Sequence, residues 1–246
     1  MLAALLELAD DHLILGHRLS EWCGHAPTLE EDLALPNMAL DILGAARGLY
    51  AHAANIQGLG HSEDDLAFLR TDRQYRNCLM VERPNGDFAH TILRQFFFAA
   101  AMEPYWQAAM QSGDPVITGI AGKSAKEMAY HIRHSGEWVV RLGDGTAEST
   151  KRMAAAVQAL APYTAELFAM SSAAQTACDQ GILPDRAALT GPWQATVDAV
   201  FAQANLEHST PPHSQTGGRR GIHGEEMGHL LSQLQYMQRT YPGAKW

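Results

Sequence analysis

Cysteine is scarce in this 246-residue chain, and the three present, Cys23, Cys78 and Cys178, stand far apart. That number and spacing exclude a disulfide framework and a zinc-ligand motif, and they fit a reducing compartment. Long apolar runs are missing as well. No stretch reaches the ~20 residues needed to span a bilayer, and Glu7, Asp10, Asp11 and His12 interrupt the apolar segment from Leu2 to Leu15. Lacking a basic start, that segment does not read as a secretory signal. Cationic charge is short: 18 Lys and Arg face 27 Asp and Glu, a net charge of −9, which argues against nucleic acid as a partner. No sustained two-residue alternation predicts a strand, and neither an internal repeat nor a linker divides the chain. The expectation is one cytoplasmic domain over residues 1–246, with no membrane contact.

What the chain does have is helical periodicity, with apolar residues at three- and four-residue steps. It predicts a first helix from Leu2 to Trp22 and a second from the Thr28/Glu31 capping-box pair to Gln57, kinked at Pro36. Ser62 caps a short helix through Arg70. Pro84-Asn85-Gly86-Asp87 makes a turn whose last residue caps a third long helix, Phe88 to Gln111. A fourth ends at Gly143. Further helices start near Ala147 and Pro192, and the last runs from Ile222 to Thr240. The longest predicted loop is His208 to Gly221. The predicted fold is all-α, one four-helix core with additional helices.

In such a bundle the inward carboxylates and histidines decide whether metal binds. A di-iron site takes one Glu from each of two helices and Glu-x-x-His from each of the other two. Asp11 lies on a mostly apolar stripe, as a buried central carboxylate or as a partner for Arg18 or another chain. On the fourth long helix, Met128 fills the core-facing slot. Glu127, His131, His134 and Trp138 form a flanking stripe, and Glu127 and His131 have the spacing of an i,i+4 pair. Glu226 and His229 form the only literal Glu-x-x-His, but His229 points about 130° from the apolar stripe of its helix. On the second helix Ile42, Leu43, Ala46 and Leu49 face inward with Asp41 at the edge, and no ligand pair is present. The cysteines have no neighbouring base, so nucleophilic catalysis has no support.

Several runs are specific. They are Leu19 to Pro27 (LSEWCGHAP), Ala39 to Gly44 (ALDILG), Arg83 to Thr91 (RPNGDFAHT), Glu137 to Thr146 (EWVVRLGDGT) and Pro162 to Phe168 (PYTAELF). On these the chain resembles the C subunits of bacterial phenylacetyl-CoA epoxidases. The resemblance implies a ferritin-like fold in a multicomponent oxygenase. A separate A subunit there holds the di-iron centre and epoxidises the aromatic ring, and a reductase supplies electrons. It also implies that Ile42 and Ala45 stand where the catalytic relative has its second-helix Glu-x-x-His, that Met128 and His131 stand at its fourth-helix pair, and that Asp11 matches its first-helix carboxylate. Asp11, Asp41, Glu127 and His131 are then remnants of a degenerate site, with no catalytic residue and no cofactor in this chain. The expected partners are the A subunit, the other epoxidase subunits and the reductase, with a homodimer as a further option. Two other readings stand beside it. One is an independent di-iron oxidase using Asp11, Glu127, His131 and Glu166; the other is a self-assembling ferritin-like scaffold.

Overall fold

A computed structural model describes residues 1–209 and 211–244. Four long helices organise it: α1 (Leu2–Ser20), α2 (Leu29–Gln57), α5 (Phe88–Ala109) and α6 (Pro115–Gly143). α1 packs along α2, α5 along α6, and α2 meets α6. Between α2 and α5 the chain crosses over through two short helices, α3 (Glu63–Phe68) and α4 (Leu79–Glu82). The remaining helices are α7 (Ala147–Leu160), α8 (Ser172–Asp179), α9 (Thr190–Gln203), α10 (Glu225–Leu234) and α11 (Tyr236–Thr240). No strand occurs among the described residues, and the fold is an all-α, ferritin-like bundle: the helical core with extra helices that the periodicity predicts, in the fold class that the resemblance implies. Among the described residues no helix is long and apolar enough to cross a membrane.

Caps and glycines set the helix ends. Asp87 accepts from the His90 N–H at the start of α5, and Asp114 from the Val116 and Ile117 N–H groups at the start of α6. Gly58 ends α2 at φ +67°, a left-handed conformation that costs glycine little. Apolar α5 sits deepest: Phe96, Phe98, Tyr105 and Trp106 are fully buried in one cluster with α1, α2 and α6 residues. Burial of this kind stabilises by roughly 25 cal/mol per Å² of apolar surface removed from water.

The structure corrects several boundaries. α1 stops at Ser20, two residues early, and α2 runs through Pro36 as one helix. Thr28 accepts from the Glu31 N–H, but Glu31 does not return the bond. Its carboxylate accepts instead from Trp138 (2.8 Å) and bonds His134 (3.0 Å) on α6, so the capping box is half formed and Glu31 ties α2 to α6. The helix expected from Ile222 starts at Glu225 and breaks at Gln235, and Met237 and Tyr241 beyond the break are exposed. α8, short and Ala-rich, is a helix that the sequence reading does not include. Within the predicted long loop, residues 217–221 pack inward. A Cβ at Gly218 would lie 2.0 Å from the Asn77 carbonyl oxygen, so only glycine fits there.

Candidate functional site

Three acids on α1, at i, i+3 and i+4, are buried: Glu7, Asp10 and Asp11. Such charges need a cation and hydrogen bonds to remain in a low-dielectric interior. Each finds an arginine from a different, distant segment. Arg186 donates to Glu7 at 2.9 Å, with Ser171 Oγ donating to the other carboxylate oxygen at 2.5 Å. Arg70 pairs with Asp10, which also accepts from the Tyr50 hydroxyl (2.5 Å) and the Arg76 N–H (2.7 Å). Arg219 grips Asp11 with two parallel bonds, Nη1 to Oδ1 at 3.0 Å and Nη2 to Oδ2 at 2.7 Å, and the Cys78 N–H donates to Oδ1 at 2.7 Å. Burial disfavours the charge on Arg219, yet Asp11 beside it raises its pKa above the ordinary guanidinium value.

Asp11 is therefore a buried carboxylate, and its partner is Arg219. Arg18, its suggested neighbour on the same helix, bonds Glu21 and the Glu82 carbonyl instead. Glu166 sits close by. It accepts from the backbone N–H groups of Leu79 (2.8 Å), Gly217 (2.8 Å) and Arg219 (3.3 Å), which fixes the residue 217–221 strap against the middle of α1. Glu82 holds the next part of that strap, accepting from the Gly224 N–H at 2.7 Å and bonding His223 Nδ1 at 2.7 Å. His223 Nε2 faces the Tyr75 carbonyl at 3.1 Å. Burial opposes a charge on that ring, but with an acceptor on each nitrogen its pKa is raised.

The other candidates meet at the contact between α2 and α6. His131 is fully buried, with the Gln95 amide donating to Nδ1 at 3.1 Å. The ring proton then lies on Nε2, facing Asp41 Oδ2 at 3.3 Å. Burial holds the His131 pKa down at about 4, against a partly offsetting pull from Asp41. Glu127 does not pair with His131, the i,i+4 partner its spacing offered. It takes Lys123 at 3.1 Å and faces Asp41, and burial together with that second carboxylate raises its pKa. Ile42, Ala45 and Met128 are buried apolar residues. Glu226 pairs with Arg83 at 3.2 Å, and His229 is exposed.

The geometry thus splits the four sequence candidates. Asp41, Glu127 and His131 come together; Asp11 belongs to a separate network with Arg219. Among the described residues no group of three or more His, Cys, Asp or Glu side chains is placed to hold a metal ion. A di-iron centre does not fit these residues, because the Asp11 oxygens accept from a guanidinium and Ile42, Ala45 and Met128 offer no oxygen or nitrogen donor. Sequence reasoning missed Arg70, Arg186 and Arg219 altogether. Their only local signal was an arginine within a Gly-rich or polar segment, which usually marks a solvated loop.

Known proteins resemble this chain in sequence. Residues 1–246 match the family described as phenylacetic acid catabolic protein. The C subunit of the 1,2-phenylacetyl-CoA epoxidase of Escherichia coli (strain K12) is 44% identical over 244 residues, covering 99% of this chain and 98% of that protein. On both grounds, the chain belongs to the phenylacetic acid catabolic protein family.

Proposed function

We propose that this chain is a non-catalytic subunit of a phenylacetyl-CoA epoxidase complex, the counterpart of that C subunit. It pairs with and stabilises an A subunit of similar fold that carries the di-iron centre, while a reductase supplies electrons. The chain holds no metal of its own and works in the cytoplasm. The observation that carries this reading is the bidentate Arg219–Asp11 pair, beside apolar Ile42, Ala45 and Met128. The cation that the buried first-helix carboxylate requires is a side chain, so no metal is needed there for charge balance. A subunit of this kind acts through its interface, where apolar and aromatic anchors supply affinity.

The test is co-purification with the A subunit, followed by an epoxidation assay with each chain omitted in turn. The expected result is a stable pair, no turnover by this chain alone, and loss of activity when it is left out. Elemental analysis then separates a second reading, an independent di-iron oxidase, which draws on the convergence of Asp41, Glu127 and His131. About two irons per purified chain would overturn the non-catalytic reading.

A further inference from the structure

Positive charge is unevenly distributed over this acidic chain. Among the described residues, Arg73, Arg76, Arg94, Arg133, Arg220 and Arg239 have no carboxylate in ion-pair contact. Four of these six lie on two segments, 73–76 and 220–239. Arg73 and Arg76 meet at Gly221, next in the chain to Arg220: Arg73 Nη1 donates to its carbonyl at 3.4 Å, and Arg76 Nη1 would lie 2.5 Å from a Cβ placed on it. A free guanidinium at a surface attracts anions, most strongly where a low-dielectric wall lies beside it.

Such a wall is present. A cleft of about 530 Å³ opens between the start of α1, α3 and the 70–76 segment. That is within the usual size of small-molecule sites, which pair apolar lining with a few convergent polar groups. Ala3, Leu6, Leu66 and Leu69 line it, and Leu69 is 51% exposed. Arg76, Gln74, Gln57 and His61 line it too. Of the other charged lining, Arg70 is neutralised by Asp10. Asp65 keeps its charge, but its carboxylate is committed to the Ser62 N–H (2.8 Å) and hydroxyl (2.9 Å) in the cap of α3. Arg76 is the cation without a counter-ion. Its Nη1 reaches the Arg73 and Tyr75 carbonyls, both at 2.7 Å, and its other side-chain nitrogens carry no bond among the described residues.

From this juxtaposition of an apolar wall and an unneutralised guanidinium, we propose that the cleft binds a small organic anion, a carboxylate or phosphate carried on a short apolar body. The head group sits on Arg76 and the body lies against Leu66 and Leu69. The site is separate from the Asp41–His131 cluster, and it stands whether or not the non-catalytic reading above holds.

Methyl NMR of the leucine-labelled chain, titrated with hexanoate, hexyl phosphate, hexanol and inorganic phosphate, tests it. The expected result is saturable shifts of the Leu66 and Leu69 methyls with hexanoate, hexyl phosphate or both. Which of the two binds tighter identifies the head group. Hexanol and inorganic phosphate bind about tenfold more weakly or worse, and Arg76→Gln costs the anions about tenfold, the size of one charge-assisted bond. Arg76→Lys, which keeps the charge, retains most of the binding and controls for folding. Arg133→Gln, at an equally unpaired arginine elsewhere, leaves it unchanged. Hexanol binding as tightly as hexanoate, inorganic phosphate binding as tightly as hexyl phosphate, no saturable shift with any probe, or full binding by Arg76→Gln would each overturn the proposal.

Discussion

Removing either member of the Arg219–Asp11 pair should destabilise the chain far more than removing both. Arg219→Met leaves the Asp11 carboxylate buried with only the Cys78 N–H for support. Asp11→Asn leaves a buried guanidinium facing the Glu7 and Arg76 carbonyls and an amide oxygen. Stranding one charge of a buried pair costs about 3–5 kcal/mol. In the double variant neither charge remains, and the new amide oxygen can still accept from the Cys78 N–H. What is lost there is the donor to two buried carbonyls, about 1–3 kcal/mol. The singles therefore sum to roughly 6–10 kcal/mol against roughly 1–3 for the double, a coupling of at least about 3 kcal/mol. For a chain of this length each kcal/mol moves Tm by about 2–4 °C, so each single variant should melt roughly 6–20 °C low. Calorimetry and urea unfolding of the four proteins complete the cycle. Additive costs, with coupling under about 0.5 kcal/mol, would refute the claim that the two residues neutralise each other. If instead Asp11 served as a metal ligand, Asp11→Asn would lower the metal content of the purified chain and Arg219→Met would not.

Two further outcomes depend on pH. His12, fully buried with Nδ1 donating to the Leu8 carbonyl, and His131 are both held near pKa 4, chiefly by burial, against about 6.5 when unfolded. A lowered pKa means the unfolded chain takes up the proton first. Their stability is therefore complete above pH 6.5 and falls toward pH 4, by about 2 kcal/mol per histidine between pH 7 and 5. Against a total of about 5–15 kcal/mol, that should visibly lower the urea midpoint at pH 5, and His131→Gln should remove about half of the slope. A midpoint flat across this range would rule the burial argument out. His223 runs the other way: its raised pKa gives stability below pH 6.5 that is lost as pH rises through the folded value. Backbone hydrogen exchange over residues 217–224 should accelerate with rising pH beyond the intrinsic base catalysis, and His223→Gln should abolish that excess.

Local chemistry wrote the helices into the sequence and left their wiring out. The apolar stripes of α1, α5 and α6 and the caps at Ser62 and Asp87 depend on neighbours within one or two turns, so spacing alone revealed them. Asp11 was placed on a buried stripe by the same rule, and it is buried. Its partner lies 208 positions away in a segment that composition marks as loop, and no periodicity links the two. Glu31 shows the limit at short range. Thr28 and Glu31 have capping-box spacing, but Trp138 and His134 on α6 draw the carboxylate away from the local N–H. Asp41 sat at the edge of its stripe, and only the approach of α6 brought it to His131 and Glu127.

The arginines give the crossover and the strap a common anchor. Arg70 lies between α3 and α4, Arg186 before α9, and Arg219 in the strap before α10. Each ends on α1 within the short stretch from Glu7 to Asp11, so the first helix organises three segments that share no local contact signature. A ferritin-like bundle whose central carboxylates bind metal must leave those oxygens free to meet the ion. Here a metal reaching Asp11 would have to displace a guanidinium making four hydrogen bonds, two to the carboxylate and two to the Glu7 and Arg76 carbonyls. It would also have to release the strap that Glu166 and Glu82 hold through the Gly217, Arg219 and Gly224 N–H groups. Loading a cation at this point therefore amounts to locally unfolding the segment that closes over it. An arginine performs the neutralising task while also fastening the chain.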